Sequence, residues 1–460
     1  MSGSESNMTK ERRVGSDFVA SSLTREKVDV MMDCPANQVR IGNKFYNAEK
    51  LLDFHPGGQL FISAFAGRDA SQAFMSYHRK RFPHQKMKFA LDNEDTLAPK
   101  EDPHLNDDYF DLVERIEKVL PRHKSFAPWT YYLKAFFIIG VCLALEGYMH
   151  YTGHYDWHLS AILGLFYAYL GLNIQHDANH GALSANPLVN RLMGMTQNWY
   201  GASVTSWVHQ HVVQHHVHTN DVHLDPDIEG KVVMRLNPMR PLKKLHAYQW
   251  FYFFGLIFLY GFSIVKFSFT TVLEGFYYTP FSELLNRYRY QELAWSLFFY
   301  FRWFFLPYYM APTWTTFFQI APMFMIFGFY LSVFFHISHN YLGVEQLEDT
   351  SPKRSWLHNQ VVASSNVAGP ILGFLNGGLN YQIEHHLFPR IHHSHYPTIA
   401  PVVRQFCEEK GIPYRHFETV TENVISSIQH MYDIGTNVVP EAAKKLENVK
   451  MHARTLSVAG

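Results

Sequence analysis

The chain has 460 residues, enough for two or three structural units, and its formal charge of zero gives no electrostatic case for binding nucleic acid. Aromatic residues make up 16% and charged residues 17%. Soluble proteins carry about 25% charged residues, so the shift points to a membrane. A mean hydropathy of −0.15 excludes the opposite extreme, a chain lying entirely in lipid.

Three widely spaced cysteines, Cys34, Cys142 and Cys407, form no Cys-x-x-Cys motif and no disulfide framework, which fits a reducing compartment. Residues 1–24 read as a disordered, charged tail. Met1 to Ser22 lack the apolar core of a cleavable signal, so the apolar segments farther on are expected to do the targeting. A compact soluble unit is predicted over 25–98. Gln38-Val39-Arg40-Ile41 alternates as a strand, Gly42-Asn43-Lys44 signals a turn, and Phe45-Tyr46 follow. In His55-Pro56-Gly57-Gly58, proline fixes φ and the glycines let backbone approach a ligand closely. Gly67-Arg68-Asp69-Ala70-Ser71 reads as a turn with Asp69 as a helix N-cap, and Ser76-Tyr77-His78 follows. This loop, with His78 twenty-three residues beyond His55, resembles the cytochrome b5 family. The resemblance implies an α+β domain that holds heme b between two axial histidines, here His55 and His78, with His84 as a spare candidate for the second.

Residues 99–125 are a charged linker leading into an amphipathic helix over Tyr109–Leu120. Tyr131–Tyr151 and Trp157–Gln175 are each long enough to cross a bilayer, and the short turn between them makes an antiparallel pair. Lys134 can reach the interface, whereas Glu146 lies deeper and is expected to face protein. Residues 177–248 are largely polar. Lys231, Arg235, Arg240, Lys243 and Lys244 place this loop in the cytosol by the positive-inside rule. Three apolar stretches follow, Trp250–Phe269, Ala294–Ala311 and Trp314–Phe335. The middle one carries Arg302, which at a bilayer centre costs ~2.5–3.5 kcal/mol. It is therefore predicted to be interfacial, with Arg302 toward headgroups, while the other two span. A Gly-rich re-entry over Gly369–Leu379, an amphipathic helix from Ile399 to about His430 broken at Gly411-Ile412-Pro413, and a polar tail over 436–460 complete the chain. The predicted fold is a multi-pass α-helical membrane protein. It has about four spans in two hairpins, interfacial helices, a cytosolic helical cap and the N-terminal α+β unit.

Three histidine clusters lie at or near the ends of apolar runs. They are His176-Asp177-Ala178-Asn179-His180, the stretch from His209 to His223 with six histidines, and Gln382-Ile383-Glu384-His385-His386. On an α-helix His211 and His215 share one face, with His216 rotated by about 100°. For all clusters to serve one site, the crossings between the second and third must be even in number. His176, His180, His211, His215, His216, His385 and His386, with Gln382 where a further histidine would stand, are too many ligands for one tetrahedral zinc and fit two metals. A redox-inert ion has no use for electrons from a heme unit, so iron is favoured. Iron, electrons and a membrane together suggest O2 activation against an unreactive C–H bond of a lipid chain. His209, His218 and His223 are read as flanking groups, and His392, His393 and His395 as organisers of the turn after the third cluster. Asp225 and Asp227 are read as turn formers. Glu384 and Asp177 either orient imidazoles or lie exposed.

From about residue 125 to 420 the chain resembles the membrane fatty acyl desaturases, most closely the front-end subfamily. Its marks are the fused cytochrome b5 domain and a third box that begins with Gln382. The resemblance implies a desaturase domain over 126–435 and a di-iron centre held by His176, His180, His211, His215, His216, Gln382, His385 and His386. His339, at the end of the last span, is implied as a ninth ligand, with His336 and Asn340 less favoured. It further implies NADH-cytochrome b5 reductase as partner, O2 as oxidant, a polyunsaturated acyl-CoA or acyl-phospholipid as substrate, and a cis double bond placed between an existing one and the carboxyl end. The setting is the endoplasmic reticulum membrane, with the heme domain and His boxes in the cytosol. His211-Val-Val-Gln-His215-His216 holds one residue more than the commonest second box; this favours Δ5, with Δ4, Δ6 and Δ8 open. A sphingolipid long-chain-base desaturase and a lipid hydroxylase share the scaffold. A membrane electron carrier or a metal transporter is the non-enzyme alternative; transport would need more polar groups within the spans.

Overall fold

The computed structural model of the chain describes residues 32–96, 104–228, 233–346 and 354–437. The N-terminal tail, linker residues Lys100–Pro103 and most of the tail over 436–460 lie outside the described residues. The alternation read in Gln38–Ile41 is real: Val39 and Ile41 point inward, and the strand pairs antiparallel with Lys44–Asn47, Ile41 opposite Lys44. Leu91–Glu94 adds a third strand beside the second. Short helices at Ala48–Leu52, Gln59–Phe65 and Ser71–His78 complete the unit. Asp69 does not cap the last of these, which starts after Ala70. Its carboxylate instead closes a local turn by accepting from the Ser71 amide and hydroxyl at 2.9 and 2.5 Å, and pairs with Arg40 at 2.9 Å. A short aspartate reaches the amide two residues on more readily than it spans a helical turn.

This unit is not an appendage. Val39, Ile41, Tyr46 and Phe65 share one apolar core with Val204, Val208, Val212 and Leu284 from the rest of the chain. Polar contacts hold the same seam: Arg68 Nη2 donates to the Pro280 carbonyl at 2.9 Å, Arg79 Nη2 to Ser125 Oγ at 3.0 Å, and Tyr109 Oη lies 3.4 Å from the Ser76 carbonyl and 3.2 Å from that of Leu387.

Among the described residues, four helical segments are long and apolar enough to cross a membrane. Their α-helices are Trp129–Thr152, Trp157–Leu170 with its continuation to Asn179, Gln249–Glu274 and Thr315–His339. Asp156 starts the second by accepting from the His158 amide. The spans form two hairpins, and the second span packs along the fourth. The third and fourth approach so closely that a Cβ on Gly328 would stand 2.1 Å from the Gly261 nitrogen, the kind of contact small residues permit between membrane helices. Two spans thus separate the second and third His clusters, which satisfies the parity requirement.

The intervening apolar stretch, Arg289–Met310, is not one of the four. Arg302 nevertheless does not face headgroups. It is buried, pairs with the Glu146 carboxylate, donates to the Trp199 carbonyl and lies 4.1 Å over the Trp199 ring. Glu146 also accepts from the Tyr167 hydroxyl and, at 2.6 Å, from Trp199 Nε1. Arg302 and Glu146 are both buried, and buried charges persist when paired and hydrogen-bonded. Arg302→Met would leave Glu146 without its counter-charge and is expected to cost ~3–5 kcal/mol. Denaturation of the purified protein in detergent checks this, with the Arg302→Met/Glu146→Gln double variant expected to recover part of the loss.

Candidate metal centre

Each histidine cluster sits on a short helical piece at the same end of the bundle. The first follows a π-helical turn, Gly171–Gln175, that extends the second span. The third is on Gln382–Leu387, which Phe388-Pro389 ends. The second departs from expectation. Val208–His215 is a π-helix, not an α-helix, and the His216 amide bonds the His211 carbonyl at 2.9 Å. The wider turn accommodates the extra residue of this box. It also aligns residues five apart, so His211 and His216 bring their Nε2 atoms to 3.1 Å. Val208 and Val212 of the same helix face the shared core with the N-terminal unit.

Eight imidazoles converge, all at most 6% exposed. Ligating nitrogens of His176, His180, His211 and His385 lie within 4.8 Å of one another, and so do those of His215, His339 and His386. His216 joins the groups: its Nε2 is 3.0 Å from that of His385, and its ring stacks on His386 with centroids 4.3 Å apart. His386 and His339 bring their Nε2 atoms to 3.2 Å. Two imidazoles at right angles on one metal, with bonds of about 2.1 Å, stand about 3 Å apart, so these separations suit ligands of shared ions.

The outward-facing nitrogens carry the complementary pattern. Nδ1 of His180 meets Tyr77 Oη at 2.6 Å, that of His215 meets both Asp225 oxygens at 3.1 Å, and that of His339 the Ala363 carbonyl at 2.9 Å. Nδ1 of His385 meets Tyr396 Oη at 3.2 Å, and that of His386 the Gln360 side-chain oxygen at 3.0 Å. Five rings are thus anchored through Nδ1 with Nε2 turned inward, the arrangement that fixes the tautomer of a ligating imidazole. Nε2 of His176 and His180 are buried without any hydrogen-bond partner, as atoms awaiting a metal would be. Burial, reinforced by the neighbouring rings, pushes His211, His216, His385 and His386 well below the ordinary imidazole range, so they remain neutral donors. Burial also lowers His215, but the Asp225 and Asp227 carboxylates outweigh it and hold that ring at about 9.

The structure sorts the remaining candidates. Gln382 is buried one turn before His385, and its Oε1 has no partner. His336 stacks on Phe253 at 4.1 Å, while Asn340 bonds the His336 carbonyl. His209 turns toward Thr279 and Gln214. His392, His393 and His395 organise the turn after the third box: the His392 amide bonds the Ser125 carbonyl, His393 pairs with Asp177 at 2.5 Å, and His395 bonds the Phe126 carbonyl. Glu384 is buried and accepts from Asn366 and Tyr414, not from imidazoles. Asp225, expected to form a turn, does so by accepting from the Asn220 and Asp227 amides, and it also orients His215. Its place ten residues after His215 in a His-rich segment was the one available signal. Tyr77 and Gln360 gave none, because their partners lie 103 and 26 residues away. Of the nearby aromatics, Trp207 has its ring 4.5 Å from that of His211, whereas Phe334 and Tyr381 pack in apolar clusters.

A second site lies beside the first. His55 Nδ1 donates to the Gly58 carbonyl at 2.8 Å and His78 Nδ1 to the Phe74 carbonyl at 3.0 Å, which leaves Nε2 of each for a ligand. The ring centroids are 6.0 Å apart. Two imidazoles sharing one iron through Nε2, with bonds of about 2 Å, need roughly that spacing. They stand in a cavity of about 660 Å³ walled by Ile41, Leu51, Phe61, Phe74 and Phe82. A planar apolar macrocycle fits these walls. Gly57 is required there, since a Cβ would meet the His55 ring at 2.9 Å. Burial lowers both imidazoles, and the adjacent His55 helps take His78 to about 3. His84, the spare candidate, instead meets Tyr46 Oη at 2.6 Å.

A heme-type cavity fused to a helical bundle with a histidine-lined metal site defines a membrane oxidoreductase. Comparison with known proteins agrees. The fatty acid desaturase family model matches residues 155–418, and the cytochrome b5-like heme/steroid binding domain model matches 38–141. The chain is 43% identical to an acyl-lipid (7-3)-desaturase of Rebecca salina, over 90% of this chain and 94% of that protein. It is 41% identical to one of Diacronema lutheri, over 93% and 96%. An acyl-lipid (8-3)-desaturase of Physcomitrium patens is 31% identical over 86% and 87%. The chain belongs to the fatty acid desaturase family, in its front-end, cytochrome b5-fused branch. Asp225→Asn is expected to lower metal affinity about 10–100-fold by releasing His215. Iron retained per chain after dialysis against a graded chelator checks this.

Proposed function

We propose that this chain is a front-end acyl-lipid desaturase of the (7-3) kind, fed through its own heme domain. The observation that carries the reading is the meeting of eight buried imidazoles in two adjoining groups, with five anchored through Nδ1. His176, His180, His211 and His385 would hold one iron and His215, His339 and His386 the other, with His216 between them and Gln382 close by. His55 and His78 would hold heme b. When bound, the iron pair supplies activation of O2 and removal of two hydrogens from neighbouring acyl carbons, leaving a cis double bond and, with two electrons and two protons added, two waters.

The chain's own residues supply the setting. The Nδ1 partners hold each ring in one orientation, and burial keeps water from the reactive space. Trp207 and Phe335 border His176 and His211, so an acyl chain reaching the metals passes apolar walls. Which carbons react depends on how far such a channel lets the chain advance. Membrane helices, a polar His-box face and a basic loop support an endoplasmic reticulum setting with the boxes and heme cavity in the cytosol, where NADH-cytochrome b5 reductase would deliver electrons.

For regiochemistry, the relatives at 43% and 41% identity carry the (7-3) designation and the one at 31% carries (8-3). Taken as a new bond three carbons to the carboxyl side of an existing one, (7-3) gives Δ4 and (8-3) gives Δ5. The second-box form favoured Δ5, but its extra residue is taken up in the π-helix, which leaves the higher identity to favour Δ4. Expression in a host without polyunsaturated fatty acids, fed single acids with a first double bond at carbon 7 or 8, tests the reading. Gas chromatography with double-bond location should show the Δ4 product, absent in His180→Ala and His55→Ala. A Δ5 product would reverse the regiochemistry, a hydroxylated one the reaction, and none in the wild type the substrate class.

A further inference from the structure

We infer that Tyr77 is the bridge by which electrons leave the heme for the metal centre, and that it positions His180 in doing so. The inference rests on the function proposed above. Tyr77 precedes the heme-site residue His78 in the same helix, and its ring lines the heme cavity. Its hydroxyl lies 2.6 Å from Nδ1 of His180, and the two rings are 6.0 Å apart between centroids. Nε2 of His180 is buried without a partner on the opposite side of that ring, toward the other imidazoles. With Nδ1–H donating to the tyrosine oxygen, that Nε2 keeps its lone pair for iron. The route is therefore one aromatic ring, one hydrogen bond and one imidazole.

The surroundings make this contact a built feature. His180 and Gly181 themselves border the heme cavity, so the two sites share a wall. The Phe61 ring packs 5.6 Å from Tyr77 and also meets Gly181, where an added Cβ would stand 3.6 Å from Phe61. Arg390, from the turn after the third box, lines the same cavity and reaches the Gly181 carbonyl at 3.4 Å. Contacts of Arg79 with Ser125 and of Tyr109 with Leu387 fix the helix that carries Tyr77 against the membrane domain.

Each transfer moves one electron. With both groups bound, the heme would give up one electron and one iron of the pair would take it, while the Tyr77 hydroxyl keeps its proton. Two transfers serve one double bond, and a reduced pyridine nucleotide acting through a reductase restores the heme each time.

The test uses the full chain loaded with heme and iron, without O2, with the heme pre-reduced and the iron pair oxidised. Heme oxidation is followed by its visible absorption. In Tyr77→Phe, which keeps the ring and removes the hydroxyl, the rate per iron-loaded chain should fall about 10–100-fold. Product formation driven by a small viologen reductant that reaches the iron directly should fall much less per iron-loaded chain than heme oxidation does, so that the two rates part. Tyr77→Gln, which keeps a hydrogen-bonding group but no ring, should slow heme oxidation likewise and serves if Tyr77→Phe fails to load iron. Equal loss in the viologen-driven reaction would make Tyr77 a structural support for His180 and overturn the bridge. Unchanged heme oxidation in both variants would overturn it as well. Heme that stays reduced in the wild type, despite iron being present, would instead overturn the proposed function.

Discussion

Everything in this molecule depends on keeping eight imidazoles dry and pointed inward in one small space. Left in water they would protonate and repel one another. Buried without anchors, each would be free to turn its protonated nitrogen toward the centre. Burial solves the first problem for His211, His216, His385 and His386 by disfavouring the charged form, while the carboxylates of Asp225 and Asp227 face His215. The outer hydrogen bonds solve the second, and they come from every part of the chain: a tyrosine of the heme domain, an aspartate of the second-box loop, a carbonyl after the fourth span, a glutamine before the third box and a tyrosine after it. Loops that look like connections between spans therefore serve as the outer shell of the site.

The backbone makes its own adjustment. π-helical turns occur just before the first box, through the second box and at Arg302, each time where a side chain must be aimed at a buried partner. A π turn adds a residue to a helix without breaking it, which changes the faces that later residues occupy. In the second box this lets His211 join His176, His180 and His385 and lets His215 join His339 and His386, while Val208 and Val212 still face the apolar core. An α-helix of the same sequence would have kept His211 and His215 on one stripe.

Much of this was legible in the sequence. The pair proposed to hold heme stood out because a proline and two glycines leave a fixed loop with a histidine at a characteristic distance. The spans followed from length, and the non-spanning stretch from Arg302 and the parity of crossings. What stayed hidden was pairing across the chain. Arg302 finds Glu146, 156 residues away, so the headgroup orientation read from a single charge was superseded by a buried partner. Asp225 looked like a turn former because its role toward His215 requires knowing how the loop folds back. The π-helix was visible only as an extra residue, whose consequence depended on the backbone absorbing it without a bulge elsewhere.

The core that Val39, Ile41, Tyr46 and Phe65 share with Val204, Val208 and Val212 has a kinetic consequence. A carrier that diffuses must collide with its acceptor, so its delivery depends on concentration and competes with other clients. A carrier packed into the same core as the second-box helix meets only one acceptor, at a fixed distance. Electron delivery then becomes a first-order property of the single chain, independent of enzyme concentration, and crowding of the membrane by rival oxidases leaves that step untouched.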